Sequence, residues 1–137
     1  MDEAVIKYYR KLLRTGFEHA GSFDNPSVFL DFDVQGWKRS GCHPADSMHI
    51  FINVVNDRID DIKYLCLCNP TVNVTVEVLC ALAKGKRVDE TQSITEDSIL
   101  QAIGTRSEDV RKKARGLLDL LNNGLAQYQL KLSQKSS

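Results

Sequence analysis

No apolar run long enough to cross a bilayer, about 18 residues, occurs anywhere in the 137 residues, and no charged-then-apolar leader opens them. The expectation is a soluble, unsecreted, cytoplasmic protein with no membrane role. Net charge is equally scarce. Eighteen basic residues balance eighteen acidic ones, so no bulk field draws nucleic acid or an anionic membrane surface. A nucleophile elbow, a phosphate loop, paired helical histidines and a dinucleotide fingerprint are all missing, which argues against a self-contained hydrolase or kinase and for a protein that is not an enzyme. Internal repeats and low-complexity tracts are absent too, and a chain of this length buries roughly two thirds of its unfolded surface in one core. Such a domain needs no covalent staple. Its four cysteines are therefore expected as free thiols or thiolate ligands in a reducing compartment.

What is present is a clear alternation of helix and strand patterns. Residues 2–14 carry Val5, Ile6, Tyr9, Leu12 and Leu13 at helical spacing, acidic residues first and basic ones last, as the helix dipole favours. Gly16, Gly21 and Asn25-Pro26 then break the chain. Residues 28–34 alternate apolar and acidic side chains, residues 48–55 alternate again, and Asn56-Asp57 supplies a turn into 59–67, the pattern of a three-stranded antiparallel meander. A helix is expected over 71–84, with Val72, Val76, Leu79, Cys80 and Ala83 on one stripe and Gly85 as its stop. Thr95 caps a short helix ending at Gly104, and Ser107 opens a last one that resumes after Gly124.

The chemistry gathers around sulfur. Cys66 and Cys68 close the third strand pattern just before Asn69-Pro70, and residues two apart on a strand share a face, which lets both thiols converge about 7 Å apart along the strand. Cys42, His43 and Asp46 lie in a polar loop. Together these five offer the thiolate, imidazole and carboxylate donors that iron or zinc takes. Each has a plainer alternative: buried cysteine behaves as a small hydrophobe, a loop histidine is solvated, and an aspartate at a strand start caps backbone donors. Cys80 sits on the apolar helix stripe and reads as core. His19 reads as a surface residue. Arg106, Arg111, Lys112, Lys113 and Arg115 form a basic cluster, either a solvated face or a docking patch for an acidic partner. Trp37, beside Lys38 and Arg39, is either an interface anchor or folded back on the sheet.

Residues 59–86, IDDIKYLCLCNPTVNVTVEVLCALAKGK, resemble the central portion of the iron-sulfur cluster assembly scaffold family of the IscU and NifU amino-terminal type. Three further stretches are similar to that family in the right order: Tyr9 followed by GSFDNPS at 21–27, Asp46 with the strand through Ile52, and GKRVDETQSI at 85–94. The resemblance implies an α+β domain over 1–131, a three-stranded antiparallel sheet packed on one side by helices, with 132–137 a frayed tail. It implies a cluster-binding site at Cys42, Asp46, Cys66 and Cys68, with His43 a further metal donor. It also implies sulfur delivered by a cysteine desulfurase and a cluster passed to acceptor apoproteins. The sequence departs from the family where its ligands stand. Cys42 precedes Asp46 by four residues, the family's second cysteine position falls on Asn69, and its third falls near Arg106-Ser107. The alternative is a diverged partner-binding module that kept the shape, with or without zinc at the same thiols.

Overall fold

The computed structural model describes residues 2–31 and 47–135. Helix α1 covers Glu3–Thr15; its N-cap, Asp2, accepts a hydrogen bond from the Val5 N–H, Glu3 lies in the first turn and Arg14 in the last. Asp2 also accepts from the Thr105 hydroxyl at 2.7 Å, fastening the start of the chain to a turn a hundred residues away. Strands β1 (Val28–Asp31), β2 (Ser47–Val55) and β3 (Arg58–Leu67) form one antiparallel sheet in the order β1-β2-β3. Positions 32–34 of the expected first strand lie outside the described residues.

Asn56 and Asp57 both take left-handed φ, 52° and 62°, the two-residue hairpin geometry whose twist matches that of the strands it joins. Along each strand the burial alternates. Leu30, Met48, Ile50, Ile52, Ile62 and Tyr64 face the core, while Phe29, Phe51 and Leu65 lie on the open face, the two phenyl rings 5.3 Å apart. The sheet gains an extra partner on its β3 edge, where residues 19–21 run parallel to it. The Gly21 N–H donates to the Tyr64 carbonyl and the Tyr64 N–H to the His19 carbonyl, both at 2.9 Å.

Helix α2 (Pro70–Ala83) starts where expected, with Asn69 as N-cap accepting from the Val72 N–H and Pro70 in the first turn. Instead of presenting one apolar stripe, it is buried on almost every side, Val74, Thr75, Glu77 and Val78 included. The reason is position: α2 packs against α1, β3 and the two helices that follow it. A helix rich in valine and threonine has weak intrinsic helicity, and tertiary burial supplies what propensity lacks.

A 3-10 helix at Val88–Ser93, not foreseen in the sequence, leads to α3 (Glu96–Ile103), capped by Thr95 and closed by Gly104 with φ of 85°. Helix α4 (Glu108–Lys135) then runs unbroken through Gly124 and on through 132–135 of the segment expected to fray. Gly124 is not a break, since its backbone does not take the left-handed φ of the capping glycines, and Leu30 of β1 packs directly on it where a Cβ would lie.

Candidate functional site

At the end of β3 the pleat sends Leu65 and Leu67 outward and leaves Cys66 and Cys68 half-buried against the core. The chain bends immediately after Leu67, so the two cysteines approach more closely than a straight strand allows, Cα to Cα 5.5 Å. Their sulfurs lie against each other. The Cys66 and Cys68 side chains lie within reach of a disulfide, the Cα separation falling inside the range that such a bridge requires. Two features frame the pair: Asn69 caps α2 immediately after it, and Ser47, where the described chain resumes, pairs with Leu67 between the two cysteines.

Cys42, His43 and Asp46, the other expected donors, lie outside the described residues, as does Trp37. Among the described residues, no group of three or more histidine, cysteine or acidic side chains is gathered closely enough to hold a metal ion. Cys80 is fully buried on α2. Burial pushes its thiol well above the usual range, and the neighbouring Glu77 pushes it further, so it serves the core and not the site.

His19 is not the surface residue that its sequence context suggested. It is buried because residues 19–21 pair with β3, which turns the imidazole inward. Its backbone N–H donates to Glu77 Oε1 at 3.2 Å, its Nδ1 lies 3.3 Å from the Ile62 carbonyl, and its Nε2 lies 3.9 Å from Glu77 Oε2. The Tyr64 hydroxyl joins the same group, 2.9 Å from Asn73 Oδ1 and 3.2 Å from Glu77 Oε1. Burial, then the Glu77 charge, raises the Tyr64 pKa strongly, so this phenol stays a donor. The signal in the sequence was a lone acid inside TVNVTVEVLCALA: a buried carboxyl must find donors, and these are its donors.

The basic cluster is largely spent inside the fold. Arg111 reaches Asp97 at 2.8 Å and Glu96 at 3.5 Å, and Arg115 grips both Glu96 oxygens at 3.1 Å. Lys113 is buried and held by Asp109 at 2.7 Å. Arg111 and Arg115 thus clamp α3 to α4, while Lys113 is tied within α4 itself, and all three charges are met inside the fold.

Hydrogen bonding from Arg115 holds the Glu96 carboxyl below its ordinary 4.5, against a smaller opposing effect of burial. A folded-state pKa lowered in this way contributes stability that is present above the unfolded value and lost as pH falls through the folded one. Arg115→Ala should therefore lower the urea midpoint at pH 7 and do so much less at pH 3. An equal drop at both pH values would show that the pair contributes nothing through charge.

Comparison with known proteins follows the same line as the geometry. The model of the NifU-like N-terminal domain family matches residues 19–135. Two curated relatives, the iron-sulfur cluster assembly scaffold proteins IscU 1 and IscU 2 of Archaeoglobus fulgidus, are each 29% identical over 84 residues, 61% of this chain and 55% of theirs. The chain thus spans about half the length of these relatives. Among solved structures, the iron-sulfur cluster assembly scaffold protein for the SUF system from Fervidobacterium islandicum superposes with a TM-score of 0.64 at 15% identity, covering 91% of this chain and 96% of that one. The N-terminal part of a nitrogen-fixing NifU-like protein from Brucella abortus gives 0.62 at 9% identity, over 95% and 94%. At such identities the superpositions speak for the fold, an α+β three-stranded sheet with helices on one face.

Proposed function

Since the chain belongs to the NifU-like N-terminal domain family, we propose that it is a scaffold on which iron and sulfide, or a preassembled cluster, are held by cysteine thiolates and then passed to acceptor proteins. The observation that carries this reading is the meeting of Cys66 and Cys68 at the β3–α2 junction. Once reduced, as a cytoplasmic compartment would keep it, the pair offers two thiolates to a soft metal. The remaining donors are Cys42 and Asp46, with His43 beside them, in the segment that rejoins the sheet at Ser47, whose partner Leu67 separates the two cysteines. The cluster is cargo in this scheme, and the protein's own part is to supply ligands and a surface. Leu67, 74% exposed, gives a docking desulfurase or acceptor an apolar foothold next to the thiols.

The test is anaerobic reconstitution of the reduced protein with ferrous iron and sulfide. Thiolate-to-iron charge-transfer absorption should appear in the wild type and fall at least about tenfold in Cys66→Ser/Cys68→Ser, since thiolates are the soft ligands that the site depends on. A spectrum unchanged in that variant would remove both cysteines from the site. The family's ligand positions that fall on Asn69 and near Arg106-Ser107 favour one other reading, a partner-binding module that carries no metal. Protein purified anaerobically without iron or zinc, and no more stable after either is added, would decide for it.

A further inference from the structure

We infer that Cys66 and Cys68 are a working dithiol that liberates sulfide from a sulfane sulfur delivered to this protein, an inference that rests on the sulfur-accepting reading above. A scaffold holding one thiol at this junction can carry a persulfide but needs electrons from elsewhere to release it as sulfide. This chain has two thiols there, separated by a single residue and within bonding reach. Neither is sealed inside the core, in contrast to Cys80. Such a release would leave the pair as a disulfide, which the Cα separation of 5.5 Å permits.

The two cysteines differ in a way that divides the roles. Cys68 lies past the last residue of β3, in the bend before Asn69. Cys66 lies within the strand, opposite the buried Met48. Cys68 is thus the acceptor: its thiolate attacks the outer sulfur of a donor persulfide, a sulfur–sulfur bond forms on Cys68, and the donor leaves as a thiol. Cys66 then attacks the Cys68 Sγ and displaces hydrosulfide, closing the Cys66–Cys68 bond. The sulfane sulfur gains two electrons, and each cysteine sulfur gives one. The proton from the Cys66 thiol passes to solvent or to the departing hydrosulfide. An external dithiol of the thioredoxin kind reopens the bridge by exchange and is itself left as a disulfide. The sum is one persulfide and one dithiol converted to one thiol, one hydrogen sulfide and one disulfide.

The experiment uses the full chain, reduced and free of iron, with glutathione persulfide as the probe. Wild type should release about one sulfide per chain and form the Cys66–Cys68 bridge, seen in its peptide as a loss of about 2 mass units, as thiol–disulfide exchange requires. Cys66→Ser should hold an added sulfur on Cys68, a gain of about 32 mass units, and release sulfide at least about tenfold more slowly. Cys68→Ser should do neither at this site, and Cys80→Ala should behave as wild type. Release from Cys66→Ser at the wild-type rate, or a wild-type protein that keeps the added sulfur without forming the bridge, would overturn the inference. Serine differs from cysteine by one atom, and circular dichroism of each variant checks that it folds. With no iron present, the outcome is independent of cluster reconstitution, so scaffold reading and sulfide release can fail separately.

Discussion

Glu77→Leu should destabilise the protein by about 2–4 kcal/mol, roughly 10 °C in melting temperature for a domain of this size. Local rules point the other way, because leucine is a better helix former and the position is only 4% exposed. The loss comes from what remains behind. The buried His19 N–H loses its acceptor at 3.2 Å, the Tyr64 hydroxyl loses one of its two, and the His19 ring loses the carboxyl facing its Nε2. A buried donor stripped of its partner costs about 1–3 kcal/mol. Glu77→Gln keeps an acceptor in place and should cost about 1 kcal/mol. The damage should also be local: the amides of Gly21 and Tyr64, which zip residues 19–21 to β3, should exchange faster than those between β2 and β3. A Glu77→Leu protein as stable as wild type would mean that the network contributes nothing beyond filling space.

Gly124→Val should cost about 2–4 kcal/mol, although replacing a mid-helix glycine ordinarily helps, by up to about 1 kcal/mol for alanine. A Cβ at this position would overlap Leu30 Cδ2, with Leu30 Cγ at 3.4 Å and Cδ1 at 3.5 Å. Leu30 is itself buried between β1 and α4, so it has little room to yield. Gly124→Ala should be milder, about 1 kcal/mol net, with the overlap outweighing the gain in helix propensity. A double-mutant cycle isolates the cause: in a Leu30→Ala background Gly124→Ala should turn neutral or stabilising. If the penalty of Gly124→Ala is the same in both backgrounds, contact with Leu30 is not its source. The close approach also has a place in the candidate site, because it seats β1, the strand from which the chain enters 32–46, on the longest helix.

Much of this architecture is legible without coordinates. The Asn56-Asp57 turn, the Thr95 and Asn69 caps, and the stops at Gly85 and Gly104 are local events, decided by side chains within a few residues of the backbone groups they satisfy. Alternating polarity fixed which face of each strand turns inward, and from that the shared side of Cys66 and Cys68. The order of motifs was enough to indicate the family.

Tertiary structure alone decided the rest, because each remaining feature depends on a neighbour distant in sequence. His19 is buried only because residues 19–21 find the edge of β3, and Glu77 is tolerated because that pairing brings it a donor from 58 residues away and the packing of α2 on β3 brings it a second, from Tyr64. Arg111 and Arg115 form no free patch because α3 folds back along α4. Position 124 takes glycine because Leu30 occupies the space that a side chain would need. The cysteines, two positions apart and on one face by sequence, come within bonding reach because the strand ends between them and the chain bends there to begin α2.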